Sequence, residues 1–339
     1  MKRESLEVKI GNIKIGGKNP IAIQSMTKTN TKDIEKTIDQ IYELAEVGCE
    51  MIRIALPDMA SCKLLGKIKE KSTIPIIADV HFNYKIALCA IEQGADKIRL
   101  NPGNIRDKEK IKEIVQKAKG AKIPIRVGAN SGSLPEGESL VNAAMREIKI
   151  LEAEGFYDIV VSLKGADIYE TISAYREMAR LTKYPFHIGI TEAGPLFSGS
   201  IISSIGCGIL LFEGLGDTIR VSLTGSPIDE VRVAKQILQA LNLRSFGPKI
   251  ISCPTCGRCK VDLFAITKQI EEETSKIKGL SGKKIAIMGC EVNGPGEAKK
   301  ADYGIVFWGR NFLIFKNGEI IKKASPENAI ALFLEEIND

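Results

Sequence analysis

The chain has 339 residues, a length that suggests about two domains, and its 44% hydrophobic and 27% charged content is ordinary for a globular protein with a core of useful size. The net charge of +6 is spread along the chain and aromatic residues make up only 6%, which argues against the basic, aromatic-studded stripe of a nucleic-acid binder. The longest apolar run, around residues 205–212, is too short and glycine-rich to span a bilayer, and the first residues lack the apolar core of a secretory signal, so the eight cysteines are expected to be reduced thiols in the cytoplasm.

From Pro20 onward one pattern repeats. A short, β-branched apolar run is followed by an amphipathic stretch, then by a glycine or proline. The runs are Ile21–Met26, Met51–Leu56, Ile74–Val80, Lys97–Asn101, Ile123–Ala129, Asp158–Lys164, Phe186–Thr191 and Thr218–Leu223. Between them, helices are predicted over Thr31–Val47, Tyr84–Gln93, Asp107–Lys119, Ser139–Glu154, Ile168–Leu181, Ile201–Leu215 and Asp229–Leu241. Thr31 or Asp33 offers the first of these an N-terminal cap, and Gly48 stops it. Alternation of this kind makes parallel βαβ units, and near-continuous apolar strands imply burial on both faces. Eight units, with no Gly-x-Gly-x-x-Gly after the first strand, predict a (β/α)8 TIM-type barrel rather than an open doubly wound sheet.

The pattern breaks near Leu243–Pro248, so the expected domains are residues 1–245 and 246–339. The second is a smaller α/β domain, with strands over Lys249–Ser252, Lys284–Met288, Tyr303–Trp308, Phe312–Lys316 and Glu319–Lys322. Its helices are predicted over Asp262–Lys276 and Ser325–Ile337, the latter capped by Ser325 with Pro326 in its first position.

Polar residues stand where the barrel strands end: Gln24; Arg53; Asp79 and His81; Arg99 and Asn101; Arg126 and Asn130; Lys164; Thr191 and Glu192; Arg220 and Ser222. A charge at a strand end is costly unless paired, and any single arginine is readily explained by a structural ion pair. Four arginines and a lysine on different strands outnumber the carboxylates beside them, so an anionic ligand with more than one phosphate group is expected at the barrel's C-terminal rim. The turn Asn101-Pro-Gly-Asn104 offers backbone N–H groups to an oxyanion, a weak signal by itself.

The small domain carries Cys253-Pro-Thr-Cys256-Gly-Arg-Cys259 and, further on, Met288-Gly-Cys290-Glu-Val-Asn293-Gly-Pro-Gly-Glu297. Thiolates select iron–sulfur clusters, zinc or copper(I). The Cys-x-x-Cys-x-x-Cys spacing is ferredoxin-like, and there is neither a second Cys-x-x-Cys pair nor a nearby histidine to close a zinc site. Spacing alone favours an iron–sulfur cluster and leaves structural zinc and a redox dithiol open. Asn293–Glu297 reads as a Gly/Pro turn ending in a carboxylate.

These residues resemble, end to end, the bacterial two-domain form of the 4-hydroxy-3-methylbut-2-enyl diphosphate synthase (IspG/GcpE) family. The resemblance rests on Ile52-Arg-Ile-Ala-Leu-Pro-Asp58, Ala78-Asp-Val-His-Phe82, Ile98-Arg-Leu-Asn-Pro-Gly-Asn104, Thr191-Glu-Ala-Gly194, residues 217–224, Ser252-Cys-Pro-Thr-Cys-Gly-Arg258 and residues 288–297. It implies reductive ring opening and dehydroxylation of 2-C-methyl-D-erythritol 2,4-cyclodiphosphate to (E)-4-hydroxy-3-methylbut-2-enyl diphosphate. Electrons would come from reduced flavodoxin or ferredoxin through a 4Fe-4S cluster, in a head-to-tail homodimer. By the same resemblance Cys253, Cys256, Cys290 and Glu297 hold the cluster. Arg53, Arg99, Arg126, Lys164, Arg220 and Ser222 bind the diphosphate, and Asn101, Asn130, His81 and Asn293 contact substrate. Thr191 and Glu192 stand nearest the reacting carbon, with Glu192 as proton donor. Cys259 departs from the family pattern, and its spacing makes it a rival to Glu297 as fourth ligand. The competing function is an iron–sulfur or zinc binding module whose barrel holds a phosphorylated ligand without redox chemistry. A barrel enzyme of the dihydropteroate synthase type, which has no such cysteines, is a third reading.

Overall fold

The computed structural model describes residues 2–80, 83–101, 105 and 107–338, and the chain divides into two compact units, Met1–Arg244 and Ser245–Asp339. The first unit opens with an antiparallel hairpin, β1 (Val8–Ile10) and β2 (Ile13–Ile15). There follow β3 (Ala22–Met26), α1 (Ile34–Glu46), β4 (Met51–Ala55), α2 (Met59–Lys71), β5 (Ile76–Asp79), α3 (Tyr84–Glu92), β6 (Lys97–Arg99), α4 (Lys108–Ala121) and β7 (Ile125–Asn130). The unit continues with α5 (Leu140–Ala153), β8 (Ile159–Lys164), α6 (Ile168–Leu181), β9 (His187–Ile188), α7 (Leu196–Phe212), β10 (Thr218–Ile219) and α8 (Pro227–Ala240). The eight strands β3–β10 form a parallel sheet in the order β8-β7-β6-β5-β4-β3-β10-β9, and a parallel bridge between Val161 and Phe186 joins its ends. This is the predicted (β/α)8 barrel.

Register orders the barrel interior, because paired residues of parallel neighbours face the same side and successive side chains alternate. Ala22, Met51, Ile77 and Val160 face inward and pack with Val8, Ile10 and Ile15, so the hairpin closes the N-terminal end of the barrel with apolar side chains. Thr218 and His187 are level with Ala22, and Lys97 is level with Ile77. These three residues and Gln24 are buried polar groups bordering the apolar layer. Arg53, Asp79, Arg99 and Arg126 follow towards the C-terminal rim.

Several elements depart from expectation. The hairpin and α2 carry no clear sequence pattern. In α2 the apolar face of Cys62, Leu65 and Ile68 is interrupted by Gly66, where a Cβ would lie 2.6 Å from the Gln93 Oε1. Asp58 caps α2 by accepting from the Ser61 N–H at 2.8 Å. Of the two candidate caps for α1, Asp33 accepts from the Lys36 N–H, whereas Thr31 donates to the Ala55 carbonyl. Helix α7 starts at Leu196 rather than Ile201.

The second unit comprises β11 (Lys249–Ser252), α9 (Leu263–Thr274), β12 (Lys284–Met288), α10 (Gly294–Ala298), β13 (Tyr303–Trp308), β14 (Asn311–Lys316), β15 (Glu319–Ala324) and α11 (Ala329–Asn338). Its sheet runs β11-β12-β13-β14-β15, parallel over the first three strands and antiparallel thereafter. Alternation along β12 and β13 separates two apolar clusters. Ile285, Ile287 and Ile305 pack with Leu263 and Ile270 of α9 and Phe333 and Ile337 of α11, while Ala286, Met288 and Val306 pack with Ala298 of α10. Helix α11 begins at Ala329, later than the predicted Ser325, because residues 326–328 form a turn in which the Asn328 N–H donates to the Ser325 carbonyl. The expected turn after Asn293 is instead the short helix α10, with Pro295 in its first turn, where its missing N–H is tolerated. Among the described residues no helix is long and apolar enough to cross a membrane.

Candidate active site

At the C-terminal ends of the barrel strands lies a pocket of about 280 Å³. Nine of the residues singled out from sequence line it: Arg53 from β4, Asp79 from β5, Arg99 from β6, Arg126 and Asn130 from β7, Lys164 from β8, and Thr191, Arg220 and Ser222 beyond the ends of β9 and β10. Asn101 stands beside it, its Oδ1 accepting from the Gly128 N–H at 3.3 Å. Glu192 is not part of the lining. It is exposed and has φ +53°, an uncommon conformation for a residue with a Cβ. His81 lies outside the described residues, as do Pro102, Gly103 and Asn104 of the candidate oxyanion turn.

The pocket is lopsided in charge. Asp79 is the one carboxylate in the lining, 3.7 Å from Arg53 Nε and 3.9 Å from Arg99 Nε. The Nε and Nη1 of Arg126 and the Nε of Arg220 are buried with no hydrogen-bond partner among the described residues. Burial, then Arg53 and Arg99, push Arg126 well below its ordinary value. Burial, then Arg53 and Arg220, do the same to Lys164, and burial and Arg53 push Arg220 down to about 10. Cations crowded into a poorly hydrated space destabilise one another, and a multiply charged anion offsets this repulsion by attracting each of them.

Gly128 and Ser162, which also line the pocket, were not singled out from sequence. A Cβ on Gly128 would lie 2.6 Å from the Ser162 Oγ, so the strand must carry glycine there for β7 and β8 to make this floor. The available signal was a glycine inside a strand, which marks close approach. Lys97 and His187 were also missed as polar members of the barrel interior. Each falls early in a short strand, where it reads as a flank.

In the second unit the loops after β11 and β12 meet around a cavity of about 570 Å³. Cys253, Cys256, Cys290, Asn293 and Glu297 line it, together with Arg258 and Lys300. Parallel strands deliver both loops to one edge, so residues far apart in sequence become neighbours. Thr255, between the first two cysteines, has φ +66°, a strained conformation for a β-branched residue that fits a loop shaped to present its side chains. Cys259 is not in the lining. Its thiol donates to the Val261 carbonyl at 3.4 Å and packs against the α9 side of the core. Gly289 makes room for it, since a Cβ there would lie 2.5 Å from the Cys259 Sγ. Among the described residues no three Cys, His, Asp or Glu side chains converge on a single metal ion. Three thiols and a carboxylate around one cavity are a donor set that suits a soft metal centre.

Family models match both parts of the chain: one described as the GcpE TIM-barrel domain covers residues 5–235, and one described as the GcpE protein C-terminal domain covers residues 249–339. The chain is 50% identical over 347 residues to a protein of Caldanaerobacter subterraneus subsp. tengcongensis, covering 99% of this chain and 97% of that one. It is 52% identical over 342 residues to a protein of Caldicellulosiruptor saccharolyticus, covering 98% and 97%. Both relatives are named 4-hydroxy-3-methylbut-2-en-1-yl diphosphate synthase (flavodoxin). Among solved structures, dihydropteroate synthase from Stenotrophomonas maltophilia superposes with a TM-score of 0.53 at 12% identity, covering 70% of this chain and 98% of that one, a likeness of barrel fold alone. With both of its parts matched, and relatives about half identical along its whole length, the chain belongs to the GcpE family.

Proposed function

We propose that this protein is an oxidoreductase, a 4-hydroxy-3-methylbut-2-en-1-yl diphosphate synthase of the methylerythritol phosphate route to isoprenoids. It opens the ring of 2-C-methyl-D-erythritol 2,4-cyclodiphosphate. Two electrons enter, the ring C–O bond to phosphate breaks, and a hydroxyl leaves as water with a proton taken up. The observation that carries the reading is the barrel pocket, where Arg53, Arg99, Arg126, Lys164 and Arg220 surround a space with Asp79 as its one acid. Such a site holds a diphosphate by bidentate and charge-assisted hydrogen bonds. Ser222, Asn101 and Asn130 orient the remaining oxygens, with Thr191 at the pocket edge, and His81 is assigned by resemblance to the same task. Glu192, exposed just beyond Thr191, supplies the proton to the leaving hydroxyl. Asn293, which lines the cavity of the second unit, is assigned to substrate contact by resemblance.

Cys253, Cys256, Cys290 and Glu297 would hold a 4Fe-4S cluster, which supplies single electrons and a Lewis-acidic iron. Glu297 suits the exchangeable position because a carboxylate is a harder ligand for iron than a thiolate. Its side chain is half-exposed and 3.8 Å from Lys300, which can receive it when it swings aside. Reduced flavodoxin is the electron donor suggested by the relatives' names, with ferredoxin as the alternative carrier.

A homodimer completes the reading. Phe197, Ile201, Ile205, Ile209 and Phe212 make an exposed apolar stripe along α7, and the helix has no charged residue. A second copy covering this face would bury it. The chain is expected to act in the cytoplasm. Anaerobic turnover of the cyclic diphosphate with a reduced one-electron donor tests the function. The expected product is the open-chain allylic diphosphate, and a brown, cluster-loaded protein that leaves the cyclic substrate intact would overturn the assignment.

A further inference from the structure

Lys97 sits inside the barrel with no exposed surface, and its Nζ has no hydrogen-bond partner among the described residues. It belongs to β6, level with Ile77 of β5, below the pocket floor. The charged groups facing it are Arg126 on β7 and Arg53 on β4, and it in turn opposes protonation of His187 on β9. His187 Nδ1 is already engaged at 2.7 Å by the Thr218 hydroxyl. Asp79 on β5 lies beside Arg53 and Arg99. Arg99, Lys164 and Arg220 add further positive charge above. An enclosed ammonium without a partner, beside guanidinium groups, is strongly disfavoured. A methionine would fill the same space without that penalty.

We propose that Lys97 is a specificity-determining residue of the diphosphate pocket: its amine is neutral before the ligand binds and takes up a proton when a diphosphate occupies the pocket. The inference rests on reading the barrel pocket as a diphosphate site. Burial, then Arg126 and Arg53, already push the ammonium well below its ordinary value. An anion above reverses part of this, because charges in a poorly hydrated interior are weakly screened. The more negative the ligand, the further the amine is driven towards its charged form. Lys97 therefore adds a cation for a diphosphate and much less of one for a monophosphate. The sign follows from linkage: ligand binding raises the proton affinity of the amine, so binding of pyrophosphate takes up protons and weakens as pH rises.

The test is anaerobic titration calorimetry of the cluster-loaded protein with inorganic pyrophosphate and, separately, inorganic phosphate, in two buffers of different ionisation heat. Wild type should take up on the order of one proton per site more than Lys97→Met on binding pyrophosphate. The variant should lose on the order of tenfold in affinity for pyrophosphate, with little change for phosphate. Lys97→Gln, polar but uncharged, should behave as Lys97→Met does and serves if the methionine variant does not fold. Equal proton uptake in wild type and a folded variant, or an unchanged ratio of the two affinities, overturns the proposal while leaving the diphosphate site standing. If wild type takes up no proton once the ligand's own ionisation is subtracted, the proposal falls without any variant. Failure of pyrophosphate to bind wild type removes the diphosphate reading and this inference with it.

Discussion

Cys259 and Glu297 are rivals for one ligand position, and their side chains point to different places. The Cys259 thiol is turned onto the core, with the Val261 carbonyl as acceptor, whereas Glu297 lines the cavity with the other three donors. Cys259→Ser is therefore expected to retain iron, sulfide and turnover close to wild type. Glu297→Ala should keep part of its cluster, since three thiolates remain, and lose most of its turnover. Iron and sulfide analysis beside anaerobic turnover reads both variants. An iron-free Cys259→Ser together with a fully active Glu297→Ala would assign the position to the thiol. The Cys-x-x-Cys-x-x-Cys run was legible in the sequence, but the direction of its third side chain depends on the space left by Gly289, which lies thirty residues further along the chain.

Helix α7 shows what one element can carry on two faces. Its inner face is small: Gly199, Ser203, Gly206 and Cys207 are buried, and a Cβ on Gly206 would lie 2.5 Å from the Ile190 Cδ1. The helix thus packs close to the barrel over most of its length, with Leu210 and Leu211 buried only near its end, while Phe197, Ile201, Ile205, Ile209 and Phe212 are left on the outside. Ile201→Glu combined with Ile205→Glu should leave the barrel folded, because both side chains are exposed. The double variant should weaken self-association by about 2 kcal/mol or more, as expected where apolar anchors are replaced by charge. Sedimentation velocity over a range of concentrations checks this, and an unchanged dimer would place the interface elsewhere. In sequence this stretch reads as one more amphipathic helix, starting at Ile201, so the exposed apolar stripe was not legible there.

At the scale of the molecule, chemistry is divided between two units. The pocket's five cations all belong to Met1–Arg244, and the cavity's three cysteines and Glu297 all belong to Ser245–Asp339. Cys290→Ala is accordingly expected to bind pyrophosphate within about twofold of wild type, as independent sites do, and to show no turnover. Calorimetry with a folded Cys290→Ala protein decides the matter. Loss of binding would mean that the second unit contributes to holding the phosphates.

The sequence by itself determined the order of strands and helices, because burial on both faces of a parallel strand and on one face of a helix leaves distinct periodicities. It also determined which strand ends carry cations and which residues are thiols. The N-terminal hairpin and α2 were not legible, since their apolar residues are few and acquire meaning only against Ala22, Met51 and Ile77 or across from α3. Tertiary structure alone decided that Gly128 and Ser162 join the pocket, that Glu192 stays outside its lining, and that Cys259 turns away from the cavity. It also decided that Lys97, apparently the flank of a short strand, is enclosed within the barrel. Barrel closure sets those in the first unit, because the same register that aligns eight strands chooses which side chains share the interior, whereas the direction of Cys259 follows from packing within the second unit.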